Sequence, residues 1–445
     1  MRTPTVARLI RVTTGSAAIC TALLGVSGCA TLRATVGAYE RGPNGISLPQ
    51  HRLREALARS DYSEALGWRE DDALLRALNV GVSSYYASQF GRSAAVLDSA
   101  ALLADDRITT SVSKTALAMV TNDLALPYQP RHTERLFIPY YGMLAYARLE
   151  RWEDAAVEAR RLSALLSEYA ADRTDAERST HATLEYLAAA AFERAGERGE
   201  AQVAYRNASV LLQPQLDGEE AEGTPADGEV LVVVERGFVA HRTTQAINVR
   251  FHEFENDSLH DKPAPGHRHK TDGDADADDD VGYWLSVAFP SVRRSRRVAG
   301  EPAIFIDGAS AASSRVASLI DDAVSADEQR ERAALLARAV ARVAAKYAIT
   351  RAVKGKSGDV AGTIANIGAS LMERADVRSW HLLPQEITLL RVRAPAGQHD
   401  LQIAIGNETG SARLDIGPVN VRPGMLTITA VRLWHEPVPA IMAMR

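Results

Sequence analysis

Along this chain the spacing of hydrophobic positions changes near the midpoint. In the first half they recur at helical intervals: Leu74, Leu75, Leu78 and Val82 share one face, as do Val96, Leu97, Ala100 and Ala101. Ala, Leu and Arg dominate residues 52–213, with few Gly or Pro. Three helix pairs share one grammar. The clearest spans 184–214: Phe192 ends a helix, Gly196 turns, Ala201, Tyr205 and Ala208 line the next helix, and Pro214 stops it. A second pair carries Tyr146, Leu149, Trp152, Ala155, Ala159 and Leu162. A third carries Tyr85, Phe90, Ala94, Leu97 and Ala101. Pro127 and Pro130 hold an extended connection before Tyr140 and Tyr141, which are expected to open the next helix.

In the second half the period shortens. Residues 229–241 read as a β-branched, nearly continuous and buried strand. Ile247, Val249 and Phe251 alternate within 245–254. Further strands are expected at 283–289, 303–306, 387–392, 400–405 and 426–433, with Pro395-Ala396-Gly397 as a turn. Two helices interrupt them. Over 326–353, Leu336, Val340, Val343 and Tyr347 form an apolar stripe and Arg338, Arg342 and Lys346 a basic ridge. Over 358–374, Val360, Ile364, Ile367 and Leu371 repeat the spacing among small residues.

The helix pairs resemble tetratricopeptide repeats, in which small residues let two helices approach while an aromatic fills the gap. The key alanines at 94, 155 and 201 are not at the regular interval of about 34 residues, so extra helices or loops intervene. A generic helical bundle with alanine-rich seams is the alternative; only the repeat reading implies a concave peptide-binding surface. The predicted fold is multidomain: an N-terminal all-α, TPR-like helical repeat domain, then an α+β domain with a mostly antiparallel sheet and a helical insertion. The expected boundaries are 51–215 for the helical domain, 216–228 for an acidic linker and 229–434 for the α+β domain, with a disordered acidic loop at 255–280 and a tail at 435–445.

The N-terminus changes the picture most. Arg2, Arg8 and Arg11 precede an uncharged run, 13–28, too short to span a bilayer and suited to export. It closes on Val26-Ser27-Gly28-Cys29, which looks like a bacterial lipobox. The reading is a signal peptide at 1–28, cleavage between Gly28 and Cys29, lipidation of Cys29 and a tether at 29–50. An ordinary signal peptide with a chance cysteine is the alternative. Resemblance to bacterial lipoproteins implies three acyl chains on Cys29. At about 0.8 kcal/mol per buried methylene they would anchor the body durably. Ala30, where retained inner-membrane lipoproteins often carry Asp, favours the outer membrane, with the body facing the periplasm. The other cysteine, Cys20, lies in the leader, so the mature chain has no disulfide and no thiolate zinc site.

At 445 residues, 46% hydrophobic and 24% charged, the composition is globular. A net charge of −5 argues against nucleic acid as a partner. Gly355-Lys356-Ser357 lacks the earlier glycine and feeding strand of a P-loop. Asp272, Asp274, Asp276, Asp278, Asp279 and Asp280 lack the Gly and Glu positions of an EF-hand, which leaves a polar loop or weak divalent binding. Arg293, Arg294, Arg296 and Arg297 read as a solvated turn or an anionic contact. No HExxH or Gly-x-Ser-x-Gly motif occurs, so no metal, cofactor or catalytic residue is assigned.

Two further stretches carry a resemblance. One holds Thr121-Asn122-Asp123, Pro127-Tyr128-Gln129-Pro130, Glu134-Arg135-Leu136 and Pro139-Tyr140-Tyr141. The other holds Glu373-Arg374-Ala375-Asp376, Arg378-Ser379-Trp380 and Leu382-Leu383-Pro384. With the lipobox, they resemble a family of proteobacterial lipoproteins with tetratricopeptide-like repeats and no assigned biochemical activity. The resemblance implies location and architecture, and no catalytic residues. Asp376 and Arg378 are expected to pair beside Trp380 as a core plug. The alternative makes Tyr140, Tyr141, Trp152, Arg378 and Trp380 contacts for an unidentified envelope protein. The function expected is a non-enzymatic, lipid-anchored periplasmic scaffold. Its rival is a periplasmic enzyme on cell-wall glycan or peptide, with its site at the domain junction.

Overall fold

The computed structural model describes residues 46–118, 126–212, 226–251, 283–297, 300–357, 375–407 and 410–434. Gly28 and Cys29, the tether to 45, most of the linker, the acidic loop, the inserted helix expected at 358–374 and the tail lie outside the described residues. The chain divides into two units, Met1–Arg52 and Leu53–Arg445. In the first, the described residues lead into helix α1 (Leu48–Ala58).

Among the described residues of the second unit, seven more helices precede the first strand: α2 (Tyr62–Leu66), α3 (Ala73–Tyr86), α4 (Phe90–Ala118), α5 (His132–Arg148), α6 (Trp152–Glu168), α7 (Asp175–Ala195) and α8 (Arg198–Leu212). Their ends follow local chemistry. The Asp72 carboxylate accepts the Leu74 and Leu75 backbone N–H groups at 2.9 and 3.1 Å and so starts α3. Thr174 and Glu177 box the start of α7, and left-handed Gly196 ends it. From α3 to α8 each helix packs against the next in an unbroken series, α6 against α7 as closely as α3 against α4. Ala94, Ala155 and Ala201, on α4, α6 and α8, are buried.

One helix runs through its expected boundary. Tyr140 and Tyr141 do not open α5; it starts at His132 and continues past Pro139. An interior proline costs a helix about 3 kcal/mol. Here every residue from Thr133 to Tyr146 except Arg135 is buried, and Glu134 accepts the Arg131 N–H at 2.9 Å. Burial and capping outweigh the lost hydrogen bond.

The strands are β1 (Asp227–Arg236), β2 (His241–Phe251), β3 (Tyr283–Arg293), β4 (Pro302–Ile306), β5 (Ala309–Ser310), β6 (Ser314–Leu319), β7 (Glu386–Pro395), β8 (Gly397–Asn407), β9 (Gly410–Val421) and β10 (Leu426–Leu433). Helix α9 (Ile320–Ser357) follows β6 directly and is the expected insertion. The first sheet has the order β10-β1-β7-β6, the second β5-β4-β8-β9, and β2 and β3 form a separate ribbon. Among the described strands every pairing is antiparallel except β1 with β10, which is parallel. The strand expected over 229–241 stops at Arg236, where Gly237 turns with φ +60°. Strands β5, β6 and β9 were not expected. β9 is broken by Gly417-Pro418, β5 has two residues, and β6 alternates too weakly.

Three layers result. Val230 to Val234 of β1 have no exposed surface because both faces of their sheet are covered. Leu231, Val233, Ile387 and Leu389 pack into the helical core. Val230, Val232, Val234, Leu390 and Val392 pack against Ile304, Leu401 and Ile403 of the second sheet. The helical and α+β parts, expected as separate domains, therefore share one core.

Candidate functional site

The face of the first sheet that meets the helices is apolar at its centre and charged at its ends. Odd-numbered positions of β1 point to the helices, and this places Glu235 on the same face as Leu231 and Val233. Glu235 is fully buried. It accepts the Tyr86, Tyr140 and Tyr141 hydroxyls at 2.7, 3.1 and 2.9 Å. The Arg432 guanidinium of β10 lies 3.7 Å away and donates to the Gly237, Leu382 and Leu383 carbonyls at 2.6, 3.2 and 3.2 Å. Burial pushes all three phenols well above their ordinary pKa, so they remain donors. At the other end, Arg391 of β7 binds Glu229 of β1, Glu193 of α7 and the Tyr205 hydroxyl of α8.

These networks locate the residues nominated for partner contact. Tyr140 and Tyr141 are fully buried against Glu235, and Trp380 is 1% exposed. None of the three has surface to offer a partner, which corrects that reading; each is an internal plug or hydrogen-bond donor. The Trp380 backbone N–H donates to Glu134 at 2.7 Å. Arg378 pairs with Asp376 at 2.7 Å, as expected, and donates to the Leu126 carbonyl at 2.9 Å. A void of about 10 Å³ bordered by Glu134, Val239 and Trp380 remains at this part of the junction. That is about the room one water needs.

Trp152 has a different setting. It borders a cleft of about 410 Å³ at the edge of the junction. One wall is the turn from α5 to α6, with Arg148, Glu150 and Trp152, and the end of α7, with Arg194. The other wall is the end of β9, with Pro418, Asn420 and Arg422, and the start of β10, Leu426 to Thr429. The wall turns sharply at Arg422-Pro423-Gly424-Met425. The Met425 N–H donates to the Arg422 carbonyl at 3.1 Å, and Gly424 takes φ +63°, as the third position of a type II turn requires.

The electrostatics of the cleft are lopsided. Arg148, Arg194 and Arg422 line it against one acid, Glu150. None of the three arginines forms an ion pair with a described carboxylate, whereas many other arginines of the body do. Arg194 lies over the Trp152 ring at 4.4 Å. Its Nε is buried without a hydrogen-bond acceptor. Partial burial, with Arg422 nearby, holds its pKa below the ordinary value. The cleft thus presents fixed positive charge, suited to a carboxylate. Sequence reasoning missed Arg148, Arg194 and Arg422; they sit on three separate elements, with no local motif joining them.

Among the described residues no group of three or more His, Cys, Asp or Glu side chains could hold a metal ion, and no helix is long and apolar enough to cross a membrane. No family model, curated protein or solved structure matches the chain.

Proposed function

We propose that this protein is a lipid-anchored envelope lipoprotein whose body is a non-enzymatic protein-interaction module. In this reading Cys29 carries the lipid, the outer membrane holds it, and the body faces the periplasm. The helix pairs act as TPR-like repeats that buttress the sheet. The partner is seated in the edge cleft. The observation that carries the reading is the cleft's set of three arginines without carboxylate partners around Trp152. Arg107, Arg330, Arg378 and Arg391 are paired with carboxylates inside the fold, so three unpaired arginines in one concavity support a ligand reading.

A photo-crosslinking amino acid at Met425, which is 39% exposed in the cleft wall, tests this in intact cells. One stoichiometric protein adduct, absent when the same group replaces the distant, exposed Val210, is expected. Equal adduct patterns at both positions overturn the reading. The anchor has its own test: Cys29→Ser should abolish radiolabelled palmitate incorporation, and unchanged incorporation removes the lipid assignment.

A further inference from the structure

Both sheets end on this side of the molecule, and their edges differ. β9 pairs only with β8 among the described strands, and β10 only with β1. Exposed edges recruit other strands unless something blunts them. β9 is blunted: Pro418 lacks an N–H, and the register slips opposite Leu401 and Gln402, where Gly417 takes φ +97°. β10 has neither device. From Leu426 to Leu433 it contains no proline, glycine or bulge. Met425 and Leu433 give their carbonyls to the N–H groups of Glu229 and Gly237. Successive residues of a strand turn their backbone groups to opposite sides, so the N–H and C=O groups of Ile428 and Ala430 face away from β1. Ile428 also lines the arginine cleft.

We infer that the occupant of the cleft is an extended acidic segment of another protein, added as a strand to the outer edge of β10. This deepens the reading of the cleft as a docking seat and rests on it. The added strand's backbone groups meet those of Ile428 and Ala430, which supplies affinity with little demand on side-chain identity. Carboxylates at one end of the segment meet Arg148, Arg194 and Arg422, which sets register and direction. Charge complementarity selects the occupant: a basic segment would bring like charges against three fixed guanidiniums. Trp152 holds Arg194 in place, with its guanidinium 4.4 Å from the ring centre.

The test uses the full chain and a display library of random nine-residue peptides. Peptides enriched in Asp or Glu, with β-branched residues alternating, are expected. The best of them, resynthesised and measured by fluorescence anisotropy, should lose about tenfold or more in affinity against Arg194→Ala combined with Arg422→Ala. It should lose as much when N-methylated at alternate residues, which removes the strand hydrogen bonds while leaving the protein untouched. Higher salt should weaken it. Enrichment of basic or purely apolar peptides, or indifference to the arginine changes or to N-methylation, overturns the inference. So does no enrichment over the doubly substituted protein. Self-association abolished by the same substitutions assigns the edge to a second copy and also overturns it. A cross-linked partner at Met425 together with any of these results would leave the docking seat standing and remove only the acidic strand.

Discussion

Replacing Glu235 with Leu tests the internal account of this fold directly. Glu235 stands on the sheet, while three of its four polar partners stand on α3 and α5. Without the carboxylate, the Tyr86, Tyr140 and Tyr141 hydroxyls lose an acceptor at 2.7 to 3.1 Å. Arg432, 2% exposed along its side chain, loses its counter-charge. Breaking a buried ion pair from one side costs about 3–5 kcal/mol. A single hydrogen bond to a charged group contributes about 1.5–3 kcal/mol, so Tyr140→Phe should cost clearly less than Glu235→Leu. With an m-value of about 3 kcal/mol/M, the larger loss lowers the urea midpoint by roughly 1–1.7 M. Far-UV circular dichroism follows the helices, and a tryptophan signal, carried in part by Trp380 and Trp434, follows the junction. Because the network ties helices to sheet, both signals should move together. A shift below roughly 0.3 M, or a junction signal that moves while the helical signal stays, would refute the reasoning.

Three further outcomes follow from the packing. Burial pushes the Glu158 carboxyl up to about 7 against the opposing pull of Arg161; the folded state therefore keeps a proton that the unfolded chain has lost, and stability falls as pH rises from the ordinary glutamate range to about 7. Glu158→Gln should raise Tm relative to wild type at pH 8 and not at pH 4, and equal shifts at both would contradict this. Burial, reinforced by Arg173, pushes His181 down to about 4, so its contribution is present above the ordinary histidine pKa and is lost as pH falls toward 4. In an NMR titration the resonance that disappears in His181→Gln should stay at its neutral position to about pH 5, and a midpoint near 6.5 would rule this out. Gly81→Ala would place a methyl 2.6 Å from the Leu97 side chain where α3 crosses α4, and should cost about 1–3 kcal/mol by overpacking; an unchanged Tm would show that Leu97 moves aside freely.

Much of the secondary structure was legible in the residues themselves. The Leu74, Leu75, Leu78 and Val82 stripe predicts a buried helix face, and all four are fully buried. The apolar run Val230 to Val234 predicts a buried strand, and the cores on its two faces show why it has no polar side there. Gly196 ends a helix where its free φ is needed. The sequence signal failed where tertiary contacts override local preference. Tyr140 and Tyr141 read as a helix start, yet α5 already runs through Pro139 because nearly all its neighbours are buried. The aromatic and arginine positions that suggested a partner surface are mostly internal, since Trp, Tyr and Arg serve a buried network as readily as an interface.

What the sequence alone determined was most of the elements in their order, the helix stop at Gly196 and the change from helical to alternating spacing, because those depend on neighbours a few residues apart. Strand parity also follows from sequence, but only the fold supplied what each parity faces. Glu235 became the centre of a polar network because α3, α5 and β10 meet at that point of the sheet. Arg148, Arg194 and Arg422 became one cationic cleft because a helix turn, a helix end and a tight strand turn converge there. Among the described strands β10 stands at the edge of its sheet because it pairs only with β1, nearly two hundred residues earlier in the chain. Long-range pairing of this kind depends on which surfaces bury each other, and no local pattern encodes it.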